Sequence, residues 1–130
     1  MRGIDTNVLV RALVQDDAVQ ARSAAESLGS GIVFIPVTVI LELEWILRSR
    51  YDFSSTLIAD AIDKLAHLEN AIVGEQEAVI VAARRLRLGW EFADALHHAL
   101  ANGCNEFVTF DRSLARRAKR DATALTIVAL

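Results

Sequence analysis

Apolar positions along the chain recur at two spacings, and the two alternate. Short runs rich in β-branched and aromatic residues fall at Arg2–Ile4, Ile32–Ile35, Ala71–Val73, Glu106–Phe110 and Leu125–Ala129. These read as strands, with Ala71–Val73 a minor one. Between them, apolar residues recur three and four apart, the spacing of one helical face. The helical segments are Asn7–Leu13, Asp16–Leu28, Val37–Arg50, a stretch from Ser54 or Ser55 to about His67, Glu75–Leu86, Glu91–Asn102 and Asp111–Arg120. Punctuation agrees with this division. Asp16 and Asp17 suit a helix start, Pro36 suits a first turn, and Gly29, Gly89 and Gly103 follow helix ends.

Strands separated by helices predict a parallel sheet with helices on both faces, a three-layer α/β/α sandwich whose central sheet is mostly parallel. No linker, repeat or low-complexity stretch interrupts residues 1–130, so one domain is expected. In such folds ligands gather beyond the carboxyl ends of the strands. Asp5 and Asp111 each follow a strand directly, which makes both candidates for one site.

Composition narrows the class. Of 130 residues, 53% are hydrophobic and 24% charged, with 6 Gly and 1 Pro, which excludes a disordered or collagen-like chain. The mean hydropathy of +0.31 is high for a small monomer and points to an oligomer or partner surface. The longest uncharged apolar stretch, Gly31–Leu41, is interrupted by Pro36 and ended by Glu42. It is too short for the roughly 20 residues of a membrane helix. The N-terminus has no signal-peptide core, and a cytoplasmic location is expected. Cys104 is the only cysteine, which excludes an internal disulfide and a Cys-based zinc site. It reads as a buried, inert thiol. The net charge of −3 provides no general field for nucleic acid, so such a role needs local basic patches or bound cations.

Four carboxylates carry the candidate chemistry. Asp5 reads as a helix cap, a metal ligand or both, with Thr6 and Asn7 offering further oxygens. Glu42 has Thr38, Val39, Trp45 and Ile46 as its helical neighbours, mainly an apolar stripe. A lone carboxylate there needs a partner, and a divalent cation would serve. Glu44, with Arg48 four residues on, reads as a solvated ion pair. Glu91, Asp94 and His98 share one helical face, which describes a solvated face as well as a ligand set. Asp111 caps the helix that follows it and sits beyond a strand end. Oxygen-only donors suit Mg²⁺ or Mn²⁺, and the chemistry implied is metal-assisted attack of water on a phosphodiester.

Asp5-Thr6-Asn7-Val8-Leu9, Leu41-Glu42-Leu43-Glu44-Trp45, Phe92-Ala93-Asp94-Ala95-Leu96-His97 and Thr109-Phe110-Asp111-Arg112 together resemble PIN-domain proteins. More narrowly they resemble the VapC-type toxins of bacterial toxin–antitoxin pairs. Their order, their spacing and the chain length all match. The resemblance implies an α/β/α sandwich and a Mg²⁺- or Mn²⁺-dependent ribonuclease. Asp5, Glu42, Asp94 and Asp111 would be its catalytic and metal-binding acids, supported by Thr6, Asn7 and Thr109. Glu91 stands where many relatives carry Asp, and is read as an outer-shell acid. The resemblance further implies an RNA substrate such as tRNA, an inhibiting antitoxin protein and a homodimer.

The basic residues cluster. Arg112, Arg116, Arg117, Lys119 and Arg120 follow Asp111, and Arg84, Arg85 and Arg87 form a second group. Either group guides an RNA backbone or complements a helix end, with Arg112, Arg116 and Arg117 the foremost RNA-contact candidates. His97 is expected nearer the apolar side of its helix and His98 nearer Asp94, both packed or hydrogen-bonded. Trp45, with Ile40 and Ile46, is a candidate partner or dimer surface, while plain core is the expected role for most of that helix. Two other classes compete with the nuclease. One is a non-catalytic binding module. The other is a phospho-acceptor domain of the receiver or haloacid-dehalogenase kind, against which stands Asn7, where a second acid is needed.

Overall fold

The computed structural model describes residues 1–130. In chain order the elements are β1 (Arg2–Gly3), α1 (Thr6–Val14), α2 (Ala18–Gly29), β2 (Val33–Ile35), α3 (Val37–Ser49), α4 (Ser55–Ala66), β3 (Ala71–Val73), α5 (Gln76–Arg87), α6 (Phe92–Leu100), β4 (Glu106–Thr109), α7 (Arg112–Arg120) and β5 (Thr126–Ala129). Every expected element is present. Most helix starts move inward by a residue or two because a residue expected to open the helix is its cap, whereas α1 is one residue longer at each end than expected. Asp17 accepts from the Gln20 amide at 3.0 Å, Ser54 from Leu57 at 3.2 Å, and Asp111 from Ser113 and Leu114 at 2.9 and 3.2 Å.

All strand pairings are parallel, as the alternating pattern requires. They form two ladders rather than one. β1, β2 and β3 pair in that spatial order, and β4 pairs only with β5. β1 is the shortest strand. Its two residues, ended by the cap Asp5, are engaged toward β2, where the Arg2 and Ile4 amides donate to Ile32 and Phe34 at 3.0 and 2.9 Å. The helices complete the three-layer α/β/α arrangement.

The core lies between the sheet and the central helix α3, which packs on α1, α4, α5 and α6. Val33, Ile35 and Val73 point into it from the sheet, and Ile40, Leu43 and Leu47 from α3. Trp90 and Phe92, at the start of α6, are almost fully buried. This anchoring positions the N-terminal turn of α6, where Asp94 stands. One expectation about burial is corrected here. Cys104 is exposed, because α6 ends at Leu100 and the thiol lies in the turn before β4. Trp45 is 50% exposed, whereas Ile40 and Ile46 belong to the core, the role expected for most of that helix. No helix is long and apolar enough to cross a membrane.

Candidate active site

The four acids are delivered by element ends and one helix face. Asp5 leaves β1 and caps α1, its Oδ1 accepting from the Thr6 amide at 2.8 Å. Asp111 follows β4 and caps α7; the same Oδ1 accepts from the Ser113 hydroxyl at 2.6 Å. Thr109 holds the turn by accepting the Asp111 amide at 3.0 Å. Both acids are exposed caps, so the capping reading holds for each while their second carboxylate oxygens remain free of protein partners.

Glu42 projects from α3 toward the start of α1, where the buried Thr6 hydroxyl donates to its Oε1. The carboxylate itself is exposed. The expectation for its neighbour reverses: Glu44 is 3% exposed, and Arg48 reaches back to it at 2.8 and 3.4 Å. The buried residues of α3 are Ile40, Leu43, Glu44, Ile46 and Leu47, so the core face takes in Glu44 and, of the neighbours expected around Glu42, only Ile46. The sequence carries a signal for this, since Glu44 has Ile40, Leu41 and Leu47 as helical neighbours. The Arg48 guanidinium lies in the field of Glu91 as well as Glu44, and both raise its pKa after the hydrogen bond to Glu44.

Asp94 is partly buried in the first turn of α6. Desolvation pushes its carboxyl up from the ordinary range, and the charges of Glu91 and Asp111 push it further. His97 and Arg117 oppose them. Asp94, Glu91 and Asp111 therefore share one electrostatic environment, with His97 and Arg117 as its cationic side. Asp111 moves the other way. The Ser113 hydroxyl and the Leu114 amide hold it ionised, and its pKa is lowered. Asn7 lines a crevice between α1 and α2 with Val8, Arg11 and Gln20.

The two histidines exchange the places expected of them. His97 is exposed beside Asp94, whereas His98 is 2% exposed in the core. Arg85 donates to His98 Nδ1 at 2.7 Å, so Nε2 carries the proton and donates to the Leu125 carbonyl at 3.0 Å. The imidazole also sits edge-on to Phe107, with centroids 5.5 Å apart. It is a packed, neutral histidine and no part of the acidic site. The second basic group is largely committed elsewhere too. Arg85 serves His98 and stacks on Trp90, and Arg87 pairs with Asp60 and Asp63 at 2.7 Å each. Of that group, only Arg84 makes neither an ion pair nor a side-chain hydrogen bond.

As the side chains lie, no three of the acids, histidines or cysteine surround a common point that would hold a metal ion. The acids fit a divalent cation by chemistry rather than by a closed shell. All donors are hard oxygens, and mutual repulsion among Asp94, Glu91 and Asp111 is a cost that a dication removes. Mg²⁺ and Mn²⁺ take few protein carboxylates directly and complete their shells with water, so an open arrangement suits them. Comparison with curated proteins and with solved structures returns no match. A family model described as PIN domain matches residues 4–120, a span that contains all four acids and the whole of α7. The chain belongs to the PIN-domain family, whose members are generally nucleases.

Proposed function

We propose that this chain is a Mg²⁺- or Mn²⁺-dependent endoribonuclease and the toxin of a type II toxin–antitoxin pair, with residues 1–130 acting as a single domain. The observation that carries the metal reading is the upward push on Asp94 by burial and by two neighbouring acids. Burial and the two neighbouring acids make its ionised form more costly, and a dication would offset that cost.

Asp5, Glu42, Asp94 and Asp111 would hold the ion, and Glu91 would act through water in its outer shell. A metal held by these acids would supply polarisation of the phosphoryl oxygen and activation of the attacking water. The chain prepares these acids in three ways. Thr6 restrains Glu42 from one side, leaving the other oxygen free. Ser113 and the first amides of α7 keep Asp111 charged. Burial of Trp90 and Phe92 fixes the start of α6 and with it Asp94. The products are a phosphate-terminated and a hydroxyl-terminated fragment. The substrate is RNA, with tRNA the leading class. A cognate antitoxin would restrain the enzyme, which acts as a homodimer in the cytoplasm.

The test is cleavage of RNA by the purified chain with Mg²⁺ or Mn²⁺, against chelator and against Asp94→Asn. Metal-dependent cleavage should fall at least about 100-fold in the variant, the scale of losing one preorganised electrostatic group. Cleavage that survives both controls sinks the assignment of this site. Absence of any metal-dependent cleavage, across structured and unstructured RNA, supports the binding-module reading instead.

A further inference from the structure

Of the fourteen lysines and arginines, Arg11, Arg48, Arg87 and Arg120 are spent on ion pairs, and Arg85 on His98. Four of the nine that remain, Arg112, Arg116, Arg117 and Lys119, stand on the single helix α7. They divide between two faces. Arg117 is half-buried and acts on Asp94 and Asp111. Arg112, Arg116 and Lys119 are exposed and spaced four and three apart, so they form one stripe about 10 Å long leading away from Asp111. Beside that stripe lies a groove of about 500 Å³ between α7 and β5, lined by Arg116, Lys119, Thr123, Thr126 and the apolar Ala118 and Ile127. It contains two unpaired cations, two hydroxyl residues and no carboxylate. Arg120, at the end of the same helix, is turned away, bound to Asp121 and to the Leu88 carbonyl at 2.8 Å.

We propose that the α7–β5 groove is the track for the single-stranded RNA backbone beyond the scissile phosphate, with Arg116 and Lys119 as its phosphate contacts. This rests on the ribonuclease reading above and divides the arginines of α7 by role. Arg117 belongs to the acidic site, while Arg116 and Lys119 hold the strand outside it. The groove is sequence-tolerant, because it offers charge and hydroxyls but no aromatic face on which a base could stack. On an acidic chain, this local field is what brings a polyanion to a cluster of acids.

The experiment is the salt dependence of binding of a single-stranded oligouridylate to the Asp94→Asn chain without added metal. Removing one cation that neutralises a phosphate of a single strand reduces the slope of log K against log salt by about 0.7. The pair Arg116→Gln/Lys119→Gln is therefore expected to flatten the slope by about 1.4. The pair Arg22→Gln/Lys64→Gln removes the same charge from unpaired positions on α2 and α4, and should leave it unchanged. Thr126→Glu, on the exposed side of β5, should weaken binding at low salt by placing a carboxylate in the groove. Equal slopes for the two double variants, or an unchanged slope for Arg116→Gln/Lys119→Gln, would overturn the proposal. Metal-dependent cleavage by the unsubstituted chain is read separately. If the slope changes as expected without cleavage, the groove stands and the nuclease reading falls; cleavage with no difference between the double variants gives the reverse.

Discussion

Ala122 is held in the left-handed region at φ 51, just past the end of α7. It is the C′ residue of a Schellman motif: the Thr123 amide donates to the Ala118 carbonyl at 3.1 Å and the Ala122 amide to Lys119 at 3.3 Å. A Cβ in this conformation costs about 1–2 kcal/mol, and glycine removes that cost while giving back about 0.4–1 kcal/mol through the freer unfolded chain. Ala122→Gly should therefore stabilise the chain by about 1 kcal/mol, read as a rise in the thermal midpoint. An unchanged or lowered midpoint would contradict the motif. The residue scale is also where local chemistry is most legible. Asp5, Asp17, Ser54 and Asp111 each read as a cap from the sequence, and each is one, because a cap depends only on amides within three residues of it. Cys104 is not legible in this way. Whether a thiol is covered depends on elements distant in the chain.

At the scale of elements, α3 does two separate things with two acids on different faces. One edge presents Glu42 to Thr6 and the candidate site. The core face buries Glu44, whose charge is met by Arg48, with a side chain 55% exposed. Removing the partner of a buried carboxylate is more damaging than removing a surface ion pair. Because solvent reaches this arginine, the full penalty is reduced. Arg48→Ala should cost about 1–2 kcal/mol in chemical denaturation, well above an exposed pair, and Arg48→Lys should restore part of it. A loss within a few tenths of a kcal/mol would mean that water solvates Glu44. The sequence shows that α3 is an amphipathic helix carrying acids. It does not show which acid faces inward, because successive residues are turned by about 100° and a broad apolar stripe leaves the neighbouring helices to choose the phase.

At the scale of the whole molecule, a hydrogen-bonded path joins α5, α6, the residue that precedes β5 and the end of α7. Arg85 meets His98, His98 meets Leu125, and Trp90 donates to Asp121 at 2.7 Å. Burial, together with the nearby Arg85 charge, lowers the pKa of His98 despite the Leu125 carbonyl. The unfolded chain takes up this proton near pH 6.5, whereas the folded one resists. Stability is therefore complete above about pH 6.5 and falls as the pH drops below it, until the folded histidine itself protonates. The midpoint of urea unfolding should decrease between about pH 7 and pH 5, and His98→Gln should flatten that arm. A flat profile in the parent chain would mean that His98 is solvated. A second loss should appear under strong acid. Asp121, held down to about 2 by Arg120 and Trp90, contributes stability above its unfolded pKa that disappears as the pH falls toward 2.

The order and type of the elements, the parallel sense of the strands, the capping acids and the four motifs that resemble the family are all written in the sequence. They depend on neighbours a few residues away, or on a periodicity that survives any placement of the helix. Folding in three dimensions settles the rest: which of Glu42 and Glu44 is buried, which of His97 and His98 stands beside Asp94, and which arginines are free. It also separates β1 and β4 into different ladders. Each of these depends on what a side chain or strand edge meets across the core, between residues as far apart as Thr6 and Glu42 or His98 and Leu125.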